Sequence, residues 1–568
     1  MDDLDRNAGN SDLQRNENSV RPHRRWMFRL FAIAFPFIIL LAIECLMRLG
    51  GSGTSQDPYI NISPFTIFSR SNIDGREHYR ITHHCAYAKR RTNIHFATEK
   101  PPGTIRVFCI GGSACAGWPH PETEIFSQYL EQSLSNAFPD RPVEVINAAA
   151  HGFASYRIRH ILDDIIDLDP DAIVIYSGNN EFHERRQYDT SYVDLADQLG
   201  KRMRTVQWLQ AKLRDPPTML DGNNLYDSAD TFYKRIQRES LELRSDPQLF
   251  RKVVQHYRQS IQHMVDQAGR RDVPVVLVTV PVNLRDWLPH VSHNQLKGPH
   301  RESWKKLYRQ ARKHYLAGEF DEGIRIMKQA IEIEPEHAES YFWLGRLQEA
   351  ADNTPAALES YRRAKDLDYN PFRAHSEFNK IVRDIARQNP HVTLVDLANE
   401  FPRASKNGLP GFDLFLDYVH PSQQGNIIIA KQVFQSLVEE GMIQGNPTTS
   451  EFVLSDEPMP GTKEPYNDST YWPLQVRLFN IYAQNHQHDA AVQQAIHLHQ
   501  LLTGTDEEPE ELDLGVPKNM REGYKVFQNY LQTERQDLLG LLPTDDKMKQ
   551  AESQRRQFYE RWFPYGSF

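Results

Sequence analysis

Short apolar runs separated by amphipathic stretches fill the middle of the chain. Ile105–Ile110, Val143–Ala148 and Asp171–Tyr176 have strand length, while Glu124–Ala137 and Ser155–Leu168 between them carry apolar residues at helical spacing. Val273–Val280 is the clearest buried strand, and Val392–Val395 predicts a last one before a closing helix at Gly425–Glu440. Runs that are apolar throughout, with helices between them, predict a parallel sheet covered on both faces, an α/β fold. Residues 50–100 show no sustained period and predict only short strands around Phe65–Arg70 and His78–Ile81. A charged helical stretch spans about Asp194–Gly269.

Between the last two strands the pattern changes to a repeat. Counted from Trp304 and from Ala338, the sequence returns every 34 residues: Ala311 matches Gly345, Gly323 matches Ala357, Met327 matches Tyr361, and Ala330 matches Ala364. Small residues at such positions let paired helices approach closely, and Pro335 stands where one repeat turns into the next. In period and pattern this resembles the tetratricopeptide repeat. Two repeats are few for an independent stack, so helices on either side, His375–Gln388 for example, are expected to complete it.

The two ends differ from the middle. Residues 1–20 are polar and predict an unstructured tail. Arg21–Arg25 is basic, and Trp26–Leu49 follows with an uninterrupted apolar stretch at Leu30–Ile43. That segment reaches bilayer length if Arg29 and Arg48 snorkel and Trp26 anchors one edge, with Glu44 and Arg48 spaced to pair. Basic residues precede it and are sparse after it, which predicts a single-pass anchor with a cytoplasmic N-terminus and the bulk of the chain outside. Residues 442–470 are rich in Pro, Thr, Ser and Glu and read as a linker. Residues 471–568 are helical again, with Leu474, Leu478, Tyr482, Ala490 and Ala491 spaced for one packed face.

Composition narrows the function classes. The 568 residues are 39% hydrophobic and 25% charged, too long for one core. With a net charge of −9 and Lys and Arg scattered, nucleic acid is excluded as a partner. Cys45, Cys85, Cys109 and Cys115 have neither zinc spacing nor a disulfide framework. His83 and His84 read as a surface pair. His151 and His183 lack a third ligand at useful spacing and are expected to line a rim, so neither a metal nor a cofactor is expected.

A serine hydroxyl needs a base within reach, a group that fixes the base's tautomer, and donors for the oxyanion. In an open parallel sheet such groups gather after the carboxyl ends of strands. Ser113 follows the first predicted strand in a Gly-Gly-Ser turn. Gly152 follows the second, Asn180 the third, within Tyr176–Phe182, and Asp417 and His420 stand before the closing helix. Cys115 is a rival nucleophile on paper, expected instead to pack behind the turn.

These blocks in this order resemble the SGNH (GDSL-type) hydrolases, over roughly residues 104–183, 272–290 and 390–440. The resemblance implies a flavodoxin-like three-layer α/β/α sandwich. It implies Ser113 as nucleophile, His420 as general base then acid, and Asp417 orienting His420. The implied oxyanion hole is the Ser113 N–H, the Gly152 N–H and the Asn180 amide; the Gly-x-Asn spacing from Gly178 favours Asn180 over Asn179. The first block departs from the family pattern, with Gly112 and Ala114 in place of Asp and Leu.

The expected organisation is a cytoplasmic tail (1–25), a transmembrane anchor (26–49), a linker or edge segment (50–100), a hydrolase domain in two parts (101–302 and 373–441), a helical insertion (303–372), a linker (442–470) and a helical C-terminal region (471–568). The expected function is a membrane-anchored esterase cleaving O-acyl or O-acetyl esters of a glycan or lipid through an acyl-enzyme. Two alternatives are an O-acyltransferase acting on envelope polysaccharide and a non-catalytic scaffold. In each, the repeat helices are expected to recruit a protein partner.

Overall fold

The computed structural model describes residues 22–49, 68–81 apart from 74, 95–183, 203–206, 238–454 and scattered positions between 474 and 497. The expected tail, His83, His84 and Cys85, most of the stretch after His183, and the region beyond 497 lie outside the described residues.

Five parallel strands make the central sheet: β4 (Ile105–Gly111), β5 (Val143–Asn147), β6 (Ala172–Tyr176), β7 (Val275–Val278) and β8 (Val392–Val395). Their order is β5-β4-β6-β7-β8, so the first strand of the sheet lies between the second and third. Inner strands β4, β6 and β7 are buried at every position, as their unbroken apolar runs require. The edge strands β5 and β8 carry half-buried residues. Registers such as Val107 beside Val145 and Ala172, and Val276 beside Val174 and Thr393, align the strand ends.

Helices cover both faces. On one side α2 (Phe126–Ala137) packs on α11 (Gln423–Glu439), with α10 (Leu397–Ala404) beside it. On the other, α3 (Ser155–Ile165) packs on α4 (Pro247–Gly269), and α4 on α9 (Ser376–Gln388). The result is a three-layer α/β/α sandwich with the flavodoxin-like strand order. Each helix buries one stripe; in α9 this is Phe378, Ile381, Val382 and Ile385.

Four helices leave the sandwich between β7 and α9: α5 (Gly298–Ala317), α6 (Phe320–Ile333), α7 (Ala338–Ala350) and α8 (Thr354–Asp366). They pack consecutively, α5 on α6, α6 on α7 and α7 on α8. Gly345 shows why small residues recur here, because a Cβ would stand 2.8 Å from the Tyr361 ring. Phe342, Ala357, Tyr361 and Ala364 of the second pair join the main core, whereas Trp304, Tyr308, Ala311 and Met327 of the first form a separate cluster with Leu344 and Leu347. The expectation that His375–Gln388 completes this stack is corrected. Phe378 of α9 packs on Tyr257 of α4 at 4.6 Å between ring centroids, so its amphipathic stripe is claimed by the sandwich.

The described residues within 68–81 and 95–97 form more structure than their sequence predicts. β1 (Phe68–Ile73), β2 (Arg76–Ile81) and β3 (His95–Ala97) form an antiparallel sheet. Phe68 and Phe96 lie 6.4 and 5.7 Å from the Phe108 ring of β4. Buried Arg106 donates to Glu144, Leu168 O and Ala97 O, which fastens this sheet to the larger one.

Helix α1 (Pro22–Leu49) has its side chains described from Ala34 onward, where Phe37, Leu41, Leu46 and Leu49 are exposed. Among the described residues no helix is long and apolar enough to cross a membrane. The Glu44–Arg48 pair forms at 2.7 Å, and Glu44 also receives the N–H groups of Arg204 and Thr205.

At the other end, the expected linker begins as packed chain. Thr448 N donates to Ala137 O and Val453 N to Ser133 Oγ along α2. The described helical positions from Leu474 to Ala491 bury Leu474, Leu478, Phe479 and Tyr482 in the main core.

Candidate active site

The site lies where the strand order reverses, between β4 and its neighbours β5 and β6, at their carboxyl ends. Strand β4 ends at Gly111, and the chain turns tightly, with Ala116 N donating to Gly112 O and Trp118 N to Ser113 O. Cys115 is fully buried behind this turn and its carbonyl accepts from Asn147, whereas Ser113 is partly exposed. Burial therefore separates the two candidate nucleophiles.

The acid and imidazole come from the loop before α11. Asp417 is fully buried; its Oδ1 accepts the N–H groups of Val419 and His420 at 2.9 Å each, and its Oδ2 accepts from His420 Nδ1 at 2.6 Å. With the Nδ1 proton directed at the carboxylate, Nε2 presents its lone pair outward. Ser113 Oγ lies 2.8 Å from that Nε2, joining residues 307 apart in sequence. Leu416 N donates to His420 O, closing the loop, and Ser422 caps α11 through Gly425 N at 3.2 Å.

The expected oxyanion residues surround the same turn. Ala148 N and Ala150 N donate to Cys109 O and Gly111 O, so the chain after β5 continues alongside the end of β4 as far as Ala150, two residues before Gly152. Gly152 has φ +71°, a left-handed conformation that suits glycine. Asn180 Nδ2 donates to Phe153 O at 3.0 Å and lies against Gly112, where a Cβ would come within 2.5 Å of it. Gly112, the departure from the family pattern, is therefore the space that the amide occupies. Asn179 turns elsewhere, its Oδ1 accepting from Ala374 N at 3.1 Å.

Further side chains adjoin these residues. The Trp118 ring stands 4.6 Å from His420 and 6.2 Å from half-buried His151, while His183 lies 5.2 Å from Phe372. His120 Nε2 donates to Pro421 O at 2.7 Å, tying the serine turn to the histidine loop. Glu181, fully buried, accepts Ser155 N and Oγ at the start of α3. Asn283, after β7, donates its N–H to Tyr418 O and its Nδ2 to Asp417 O. A hydrogen-bonding residue just after a predicted strand is the one signal that could have found Asn283 and Glu181. For Trp118 and His120 there was none, since their partners are distant in sequence.

No family model matches the chain, and no curated protein matches it. Among solved structures it is similar to a lipase/acylhydrolase from Enterococcus faecalis (12% identity, 59% of this chain and 95% of that one, TM-score 0.27). It is also similar to an acetylxylan esterase from Geobacillus stearothermophilus (12%, 60% and 95%, TM-score 0.28) and a GDSL-like lipase from Bacteroides thetaiotaomicron (11%, 63% and 95%, TM-score 0.25). Likenesses this distant assign no activity or residue role to the chain.

Proposed function

We propose that the protein is a serine esterase acting on O-acyl esters, with Ser113 as nucleophile, His420 as base then acid, and Asp417 as the group that fixes the imidazole. The observation that carries this reading is the continuous hydrogen-bonded line from the Asp417 carboxylate through His420 to Ser113 Oγ, with distances of 2.6 and 2.8 Å. As Oγ attacks the ester carbonyl, its proton passes to Nε2, and the buried carboxylate stabilises the imidazolium. The carbonyl oxygen becomes an oxyanion facing the Ser113 N–H, the Gly152 N–H and the Asn180 amide. That amide has two N–H donors, of which Phe153 O takes one. Collapse releases the alcohol, protonated by His420. Water, activated by the same imidazole, then cleaves the acyl-enzyme.

Residues 26–49 are proposed to hold this domain at a membrane, with residues 1–25 cytoplasmic and the site on the other side. The basic cluster Arg21–Arg25, where α1 begins, and the exposed apolar side chains farther along the helix support that reading. The helices α5–α8 are proposed as tetratricopeptide-like pairs.

One experiment addresses site and location together: a fluorophosphonate probe applied to fractionated cells. Labelling should follow the membrane pellet, move to the soluble fraction when residues 1–49 are removed, and vanish in Ser113→Ala. Labelling that survives Ser113→Ala would overturn the nucleophile; a soluble full-length chain would overturn the anchor.

A further inference from the structure

The segment joining α8 to α9, residues 367–375, reaches across to the loop that holds the proposed acid. Asp368 is buried, and its carboxylate accepts the N–H groups of His290, Val291 and Asn370 at 2.8, 3.0 and 2.9 Å. Ala374 O accepts from Lys365 Nζ at 2.7 Å, and Ala374 N donates to Asn179. Arg373, between these anchors, is 2% exposed. Its Nη1 donates to Asn283 O and to Trp287 O, both at 2.9 Å, while Nη2 lies 3.9 Å from Asp368. Burial pulls this guanidinium down to about 10, Asp368 and Asp366 pull it back, and it is a cation at neutral pH.

The segment that Arg373 gathers, residues 283–287, is the one that braces the Asp417 loop. Asn283 N donates to Tyr418 O at 3.0 Å, Asn283 Nδ2 to Asp417 O at 3.1 Å, and Asn283 Oδ1 accepts from Asp286 N at 2.9 Å. Arg373 thus fixes the carbonyl side of Asn283 while Asn283 fixes the backbone on both sides of the Asp417–Tyr418 bond.

We propose that Arg373 is a positioning residue for the Asp417–His420 pair, acting through Asn283, so that the helices before it set the geometry of catalysis. This rests on the esterase reading above. A guanidinium suits the task because one terminal nitrogen, Nη1, carries two N–H donors for the two carbonyls while the second, Nη2, faces the Asp368 carboxylate.

The test is a double-mutant cycle with Arg373→Lys and Asn283→Ala, read as kcat and KM on an activated acetyl ester and as the rate of fluorophosphonate labelling, with thermal stability measured alongside. Lys keeps a cation near Asp368 but, being shorter and carrying one nitrogen, cannot both face Asp368 and make the two Nη1 bonds. Each single variant should lower kcat roughly tenfold, the scale of one hydrogen bond to a charged group, with little change in KM. The double variant should lose little more than the worse single, because both changes cut one connection. Losses that multiply, or an Arg373→Lys chain with lowered stability and unchanged kcat, would overturn the proposal. If Arg373→Lys does not fold, Asn283→Ala decides alone: unchanged kcat and labelling rate overturn it. Wild-type turnover that persists in Ser113→Ala would instead remove the esterase reading, whatever these variants do.

Discussion

At the residue scale, the space beside Ser113 matters as much as its partners. Gly112 leaves room for the Asn180 amide, and a Cβ there would meet Nδ2 at 2.5 Å. Gly112→Ala is therefore expected to displace that donor and lower kcat by about 10²–10³-fold, the usual cost of losing one oxyanion donor. Asn180→Ala should cost as much by itself, and the combined variant little more. Kinetics of the three on an activated acetyl ester check this; a Gly112→Ala enzyme with wild-type kcat would show that the amide takes no part. The chain motif made Ser113, Asp417 and His420 legible, because the proposed chemistry dictates residue type and their order follows the family pattern they resemble. Nothing in the sequence showed why the residue before the serine is a glycine, since its neighbour Asn180 arrives from another strand.

At the element scale, two helices start on histidines. His337 Nδ1 accepts Ser340 N at the start of α7, and His375 Nδ1 accepts Glu377 N at the start of α9. Only an unprotonated nitrogen can do this. Burial pulls both residues down to about 4 from their ordinary value near 6.5. A folded-state value below the unfolded one means that the unfolded chain takes up the proton first. Their contribution is full above about pH 6.5 and is lost as pH falls toward 4, on the order of 1–3 kcal/mol each. Glu131, pushed up to about 7 by burial, works in the opposite direction, so the variant comparison isolates the histidines. His337→Asn, which keeps a cap that does not titrate, should flatten the fall in melting temperature between pH 6.5 and 4.5. Parallel curves for wild type and variant would refute it.

At the scale of the whole molecule, the inserted helices divide into two kinds. The pair α5–α6 packs in a cluster outside the main core, closed by Leu344 and Leu347 of α7, whereas α7–α8 also share the main core and lead into the Asp368–Arg373 segment. Removing residues 298–333 should leave turnover of a small ester within roughly threefold of wild type while lowering stability, as befits a peripheral unit. Removing 303–371 takes Asp368 and the core face of α8 with it and should abolish turnover. Assays of both deletions check the distinction; loss of turnover on removal of α5–α6 alone, with the fold intact, would reverse it. The C-terminal region is likewise more than an appendage. Its Tyr482 hydroxyl donates to Leu416 O in the histidine loop, and its ring packs near Trp287 and Phe412.

The sequence alone determined the parallel sheet, its covering helices, and the serine, acid and imidazole after their strands. Unbroken apolar runs have few other ways to bury both faces, and the proposed acyl chemistry needs those side chains. The short antiparallel sheet was only half legible, because β3 is three residues long and gains its stability from Phe108 and Arg106 of another strand. The helix at 376–388 carries a stripe that would suit a repeat stack or a sandwich equally, and only the tertiary structure assigned it to α4 and the sheet. Arg373, Asn283 and Trp118 owe their places near the site to contacts between segments far apart in the chain, which periodicity and local spacing do not encode.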